Sequence, residues 1–138
     1  MRRPPQVNHY IKRLEALVQK SGKRKPNHKE ILIEEGKCEA LAIEIENRDD
    51  LRSAFDDELP LINKLKDDLE YNINQIKQAD VLKKVKDIVI ILDGVLYWMG
   101  IPGVFGPVVT AIEKFLEMMG YPSGDPKLPE GNEEDEDY

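Results

Sequence analysis

The segment 81–119 is the most apolar part of the chain. Between Ile88 and Ile112 the one charged residue is Asp93. Apolar residues recur there at spacings of three and four, which is the helical period, and after Ile88 further apolar side chains fill the polar face as well. A helix that is apolar all round is typical of a buried position. The pattern therefore predicts that a helix over Val81–Met99 is the most buried element of the fold.

Glycine and proline interrupt this segment between Gly100 and Pro107. Proline lacks a backbone N–H and clashes with the preceding turn, so the first helix must end there. Pro107 suits the first turn of a second helix, where the missing N–H is harmless. Apolar residues continue at helical spacing from Val108 to Met119. The sequence predicts an apolar helical hairpin whose tip is Ile101–Gly106.

The run Ile88–Leu96 also resembles the first strand of haloacid-dehalogenase-type phosphatases. In that family two aspartates separated by one residue, and then a glycine, follow the strand, and the first aspartate is the nucleophile. Here Asp93-Gly94 is present, but the nucleophile position holds Ile91. About 45 residues follow, too few for the rest of such a fold. The helix is preferred, and Asp93 is expected to pair with a lysine or to line a polar spot in the bundle.

Four further helices are predicted from the same period. The first begins at Pro4-Pro5 and ends at Ser21-Gly22, with a left-handed cap at Gly22. The second begins at an Asn27 cap, runs to about Asn47 and turns Leu32, Cys38, Leu41, Ala42 and Ile45 inward. A hairpin of strands centred on Gly36 is the alternative there, because Leu41, Ile43 and Ile45 alternate.

A short helix through Leu51 and Phe55, capped by Asp49 or Asp50, precedes a longer one. The longer helix carries Pro60 in its first turn, and Asp80 is expected to cap the helix that follows it. The prediction is an all-α, compact bundle of five to six helices over residues 1–120, followed by an acidic, disordered tail over 121–138. The residues expected to pack together in the core are Ile62, Leu65, Leu69, Ile73, Leu92 and Leu96.

Charge is distributed unevenly along the chain. Residues 1–29 hold nine Lys/Arg and one acid, whereas residues 30–138 hold eleven Lys/Arg and twenty-six acids. Sign asymmetry of this kind accompanies nonspecific contact with anionic partners, and no pattern favours specific nucleic-acid readout. The alternative, a solvated loop that pairs with the protein's own acids, is preferred. The candidate contacts are Arg2, Arg3, Lys20, Lys23, Arg24 and Lys25.

Residues that would carry catalysis or hold a metal or cofactor are scarce. His9 and His28 are far apart, and neither has a second ligand at metal-binding spacing. The single Cys38 lies on a predicted apolar face, which favours a small core residue over a nucleophile. Acidic pairs such as Glu34-Glu35 point to different sides of a helix and are expected to be solvated. The sequence predicts a cytoplasmic protein without enzymatic activity and without a cofactor.

The residues with most contact potential lie at the end of the long apolar helix and at the hairpin tip. They are Tyr97, Trp98, Ile101, Val104 and Phe105. Phe105 is expected to be harder to bury than Trp98, because it lies at the Gly/Pro tip. A patch of this kind favours a protein-interaction module that forms a homodimer or binds another protein. The alternative is a membrane-active protein that inserts its 88–119 hairpin, a pattern similar to the apolar hairpin of pore-forming toxins.

Overall fold

A computed structural model describes residues 3–121, and this part of the chain is built from helices without a strand. The prediction of an all-α bundle is confirmed. The predicted tail lies outside the described residues apart from Tyr121. A 3₁₀ turn at Asp49–Leu51 precedes the third helix. The six α-helices are α1 (Pro5–Ser21), α2 (His28–Ile45), α3 (Arg52–Asp57), α4 (Leu59–Ile73), α5 (Ala79–Trp98) and α6 (Gly106–Met118).

Two predicted helix boundaries follow from local chemistry. The Asn27 side chain accepts hydrogen bonds from the N–H groups of Lys29 and Glu30, at 2.9 and 3.2 Å, and so caps α2. After α5, Gly100 adopts a left-handed conformation with φ 76°, and the N–H of Ile101 bonds the carbonyl of Leu96 at 2.8 Å. Glycine tolerates that conformation without strain, so the helix ends where the sequence predicts.

Gly22 and Asp80 do not play their predicted roles. Gly22 has φ −86°, so the predicted left-handed cap is wrong. A Cβ atom at Gly22 would lie 2.8 Å from the amide nitrogen of Asn72, which donates to the carbonyl of Val18. Glycine is needed there for the close approach of α4. Asp80 lies inside the first turn of α5, whose N-cap is Gln78, because the helix begins two residues earlier than predicted.

The helices form two layers. In one layer α5 lies between α2 and α6, and in the other α1 packs beside α4, with α1 also contacting α2 and α5. Arg3 bonds Glu58 at one end of the α1–α4 pair and Asn72 bonds Val18 at the other, so these two helices are parallel. Short connections make α2 and α5 run the opposite way. The bundle therefore has two distinct ends.

One continuous core joins the layers, and it contains all six residues that were predicted to pack together. Tyr10 of α1 is fully enclosed, and its hydroxyl donates to the carbonyl of Leu92 in α5 at 2.8 Å. Its ring meets Phe55 edge to face, with 5.2 Å between centroids. Burial, with a smaller contribution from the Asp93 carboxylate, raises the pKa of the Tyr10 phenol well above its usual value. The phenol therefore stays a neutral donor across the physiological range.

The inward side of α2 agrees with the prediction at Cys38, Leu41 and Ile45 and differs from it in the first turns of the helix. Ile31 is enclosed, whereas Leu32 is exposed. The buried positions fit the helical period with spacings of three and four, and they include an acid at position 34. The buried residues of α2 are Ile31, Glu34, Cys38, Leu41 and Ile45.

The helix α5 is not buried all round as predicted. Its inner side is enclosed, but Ile90, Tyr97 and Trp98 are exposed on its outer side. In a two-layer bundle even a central helix such as α5 has no neighbour on the side that faces away from the other layer. The apolar outer side is therefore surface and not core.

Leu92→Ala should lower the free energy of unfolding by about 2–5 kcal/mol, because Leu92 is fully enclosed and truncation leaves a cavity. Ile90→Ala on the same helix is the matched control. Ile90 is half exposed, so its truncation should change stability by less than about 0.5 kcal/mol. Urea denaturation followed by circular dichroism measures both. Equal losses in the two variants would show that the inner and outer sides of α5 have been assigned wrongly.

Candidate functional surfaces

Several large exposed apolar side chains of α2 and α5 lie on the same face of the three-helix layer. Lys84 Nζ lies 3.4 Å from Glu35 Oε1, which fixes the sides by which the two helices meet. Counting around each helix from Glu35 or Lys84 at 100° per residue places the exposed apolar residues on the side away from the core. We call this surface the outer face; it consists of Leu32, Ile43, Ile90, Tyr97 and Trp98.

The five predicted contact residues between positions 97 and 105 differ in their exposure to solvent. Tyr97 and Trp98 are 68% and 43% exposed, Ile101 and Val104 are half-buried, and Phe105 is 0% exposed. The expectation that Phe105 is harder to bury than Trp98 is wrong. Phe105, Val108 and Ile112 follow one another at spacings of three and then four residues. The helical period therefore places Phe105 on the buried side of α6.

Asp93 explains how the hairpin tip is held. Its carboxylate accepts a hydrogen bond from the backbone N–H of Phe105 at 3.2 Å, across the α5–α6 connection. A carboxylate acceptor makes this bond stronger than one between neutral groups. The bond fixes the beginning of α6 against α5 and holds Phe105 in the core. Asp93 thus lines a polar spot, as predicted, but its partner is a backbone amide and not a lysine.

Two glycines lie within the exposed sides of the same helices. Gly36 is in the middle of α2 and Gly94 lies four residues before the end of α5, and a Cβ atom at either position would meet nothing within 4 Å. Glycine in a helix interior is less favourable than alanine by about 0.5–1 kcal/mol. Packing within the described part of the bundle does not require either glycine. Both positions leave a shallow, backbone-lined surface next to large apolar side chains.

Glu34 is a buried carboxylate that the sequence analysis assigned to a solvated face. Its side chain is 0% exposed and lies between α1 and α2. Arg13 Nη1 lies 3.0 Å from both carboxylate oxygens, and Lys20 Nζ lies 3.2 Å from Oε1. A buried charge costs several kcal/mol unless it is paired and hydrogen-bonded, and these two cations meet that requirement. The signal that was missed is the spacing 31, 34, 38, which places Glu34 on the inward side.

Cys38 completes this cluster. Its Sγ lies 3.8 Å from Glu34 Oε2, and the side chain is enclosed. Burial, and then the negative charge of Glu34, raise the pKa of the Cys38 thiol to about 12. The thiolate is the reactive form of cysteine, so the thiol is unreactive at neutral pH. The carboxylate is fully engaged by cations, and the Glu34 cluster therefore serves to join α1 to α2.

Three of the predicted basic contacts pair with the protein's own acids. Arg3 bonds Glu58 at 3.2 Å, and Lys23 bonds Glu30 at 2.7 Å. Lys20 pairs with Glu34, as described above. For these residues, pairing with the protein's own acids, which the sequence favours over contact with an anionic partner, fits the structure. Arg2 lies outside the described residues.

The remaining cations gather at the end of the bundle where α1 ends and α2 begins. Arg24 and Lys25 are exposed and form no ion pair within residues 3–121. Lys83, in the first turns of α5, lies over the ring of Tyr121 with 4.3 Å between its Nζ and the ring centroid. We call this region the basic end; it consists of Lys23, Arg24, Lys25, Lys29, Lys77 and Lys83.

Two open clefts lie in the described part of the protein. One of 250 Å³ lies between α1 and α2, where His9 Nδ1 lies 3.5 Å from Glu44 Oε2. Another of 380 Å³ lies beside α3, lined by Arg3, Asp57 and Glu58 among others. Within residues 3–121 no three His, Cys, Asp or Glu side chains are placed to share a metal ion. Over the same range, none of the helices combines the length and the apolar character that crossing a membrane requires.

Glu34→Ala should lower the free energy of unfolding by about 1–3 kcal/mol, because three charge-assisted hydrogen bonds are lost. The loss stays below that of a fully enclosed ion pair, since Arg13 and Lys20 are each 24% exposed and can turn to water. Glu39→Ala, an exposed acid on the same helix, should change stability by less than about 0.5 kcal/mol. Denaturation midpoints that coincide for the two variants would contradict a structural role for Glu34.

Comparison with known proteins gives this chain no relative: it matches no protein-family model, no curated protein and no solved structure. A function can therefore be argued only from the surfaces described above.

Proposed function

We propose that this protein is a non-enzymatic interaction module whose outer face binds a protein partner. The observation that supports the proposal is the exposure of Tyr97 and Trp98, next to Ile90, on one side of α5. Tyrosine and tryptophan are enriched among the residues that dominate binding energy at protein interfaces. The other large apolar side chains of α5 are buried or half-buried. The exposed ones are therefore an exception within this helix.

The partner that we propose is a second copy of the chain. A two-fold pair brings the same patch of each protomer together, so that an exposed apolar residue on one is covered by the other. The outer face extends over two neighbouring helices, which gives a flat surface that a second three-helix layer can cover. Such closed two-fold pairing is the commonest solution in soluble oligomers.

The two helix-interior glycines support a helical partner. Small residues let the backbone of one helix approach another closely, and larger side chains on either side then surround the contact. Gly94 lies between Ile90 and Tyr97 on the exposed side of α5. A crossing helix at Gly94 would give a reason for a residue that weakens α5 and that packing within residues 3–121 does not require.

Tyr97→Glu should raise the dissociation constant of the dimer at least tenfold, because it buries a charge where an aromatic ring is expected to pack. Tyr71→Glu is the matched control: Tyr71 and Tyr97 are both 68% exposed, but Tyr71 lies on α4 in the other layer. Sedimentation equilibrium over a range of concentrations measures association, and circular dichroism checks that both variants keep their helices.

A monomeric wild type at high concentration, or equal effects of Tyr97→Glu and Tyr71→Glu, would contradict pairing through the outer face. Phe105 is unsuitable for this test because its enclosed ring belongs to the core. Insertion of the 88–119 hairpin into a membrane stays an alternative prediction. It would require α5 to withdraw its inner side from the core, and co-sedimentation with vesicles tests it on the same samples.

Gly94→Ala should have opposite effects on the free protomer and on the dimer. Alanine is the better helix former, and its Cβ meets nothing within 4 Å, so the protomer should gain up to about 1 kcal/mol of stability. The added methyl group should weaken association if a second helix crosses at this position. Urea denaturation at low concentration and sedimentation at high concentration measure the two effects. A more stable variant that still pairs like the wild type would place the contact elsewhere.

A further inference from the structure

The two ends of the bundle carry opposite charge. Residues 20–29, where α1 ends and α2 begins, hold five Lys/Arg and no acid. Residues 44–58, at the other end of α2, hold seven acids and two Arg. The 18 residues of α2 separate the two segments by about 27 Å. Solvent and salt screen charges over about 10 Å, so the two segments cannot neutralise one another within one molecule.

The basic end is assembled from several elements and is not confined to one loop. The loop after α1 lies against the end of α4, since a Cβ atom at Gly22 would be 2.8 Å from Asn72. The end of α6 lies against the beginning of α5, where Lys83 covers the ring of Tyr121. The loop between α4 and α5 adds the exposed Lys77. Cations from two connections and from the first turns of α5 therefore share one end of the molecule.

The acids of the described chain at this end, Glu30, Asp80 and Glu117 among them, are fewer than its cations. Lys23 pairs with Glu30, and Lys20 pairs with the enclosed Glu34. Arg24, Lys25 and Lys77 are exposed and form no ion pair with residues 3–121. Like charges held together at a surface repel one another, so an anionic group that came to this end would be attracted and would also relieve that repulsion.

The most acidic stretch of the chain is attached at the same end. The described chain ends at Tyr121, and residues 122–138 hold seven acids and one lysine. The first of these acids, Asp125, follows Tyr121 by four residues, so it can lie no more than about 14 Å from it. Attachment gives such a segment an effective concentration in the millimolar range at the surface next to it.

We propose that the basic end is the docking surface for this protein's own acidic segment, residues 125–137. The attraction is between many exposed charges, so it depends on the summed charge and weakens with salt. An external anionic partner reaches Arg24 and Lys25 only by displacing the segment. The proposal concerns the end of the bundle and not the outer face, so it does not depend on the proposed dimer.

A spin label on the acidic segment tests the docking in the full-length chain. Asn132→Cys introduces a thiol without changing the charge of the segment, and the enclosed Cys38, with its raised thiol pKa, stays unmodified. The label broadens the amide signals of residues that it approaches. We expect broadening at residues 22–29 and 77–84 in low salt, and little at residues 44–58, which serve as the internal control. At about 0.5 M salt the broadening should be lost.

A second variant and a mixed sample make the result decisive. Arg24→Glu with Lys25→Glu changes two exposed side chains, so the bundle should keep its helices while the broadening at residues 22–29 is lost. Broadening that is equal at both ends, absent in low salt or unchanged by the two substitutions overturns the proposal.

Isotope-labelled protein without spin label is also mixed with spin-labelled protein of natural isotope content. Broadening in that sample would show that a second copy supplies the segment, which overturns docking within one chain.

Discussion

The inner side of α5 is the constraint on which the rest of the structure depends. It contacts α2 on one flank, α6 on the other and α1 across the layer, and Tyr10 reaches the carbonyl of Leu92 from that second layer. Burial of so many aliphatic side chains supplies the main driving force, since apolar area removed from water stabilises by roughly 25 cal/mol per Å². Without α5, the buried sides of α2 and α6 would have no common neighbour.

Polar groups in this core act mainly to fix how the apolar elements meet. Asp93 ties the beginning of α6 to α5, and Glu34 joins α1 to α2 through Arg13 and Lys20. Each acid is engaged by donors that lie far away in sequence, so each bond can form only in one arrangement of the helices. Buried ionic groups give little net stability, but they exclude arrangements that would leave a charge without a partner.

The helices could be predicted because their causes are local. The spacing of apolar residues, the Asn27 cap and the breaks at Gly100 and Pro107 all act within a few residues. The errors concern effects between distant residues. A Cβ atom at Gly22 would lie 2.8 Å from the amide nitrogen of Asn72, and the buried charge of Glu34 is tolerated because two cations on α1 pair with it. The predictions for Leu32 and Phe105 are wrong for a local reason. The acid at position 34 hides the inward side of α2, and the glycine-rich tip makes Phe105 look exposed, although the helical period places Ile31 and Phe105 inward.

The outer face shows a further limit of sequence patterns. Apolar residues on every side of α5 predicted complete burial, yet the pattern cannot tell whether a neighbouring helix belongs to the same chain. Ile90, Tyr97 and Trp98 read like core residues and lie at the surface of the described fold. The same composition would result whether selection acted on folding or on binding.

The enclosed thiol of Cys38 determines how the protein responds to oxidants once it unfolds. In the folded chain, burial and the neighbouring Glu34 keep the sulfur protonated and out of reach. In the unfolded chain the thiol regains an ordinary pKa of about 8.5, so a few per cent is thiolate at neutral pH and can be oxidised or cross-linked to another chain. Oxidation would therefore trap unfolded molecules and turn a reversible equilibrium into a one-way loss. Under oxidising conditions, the rate at which α1 and α2 separate would set the lifetime of the native protein.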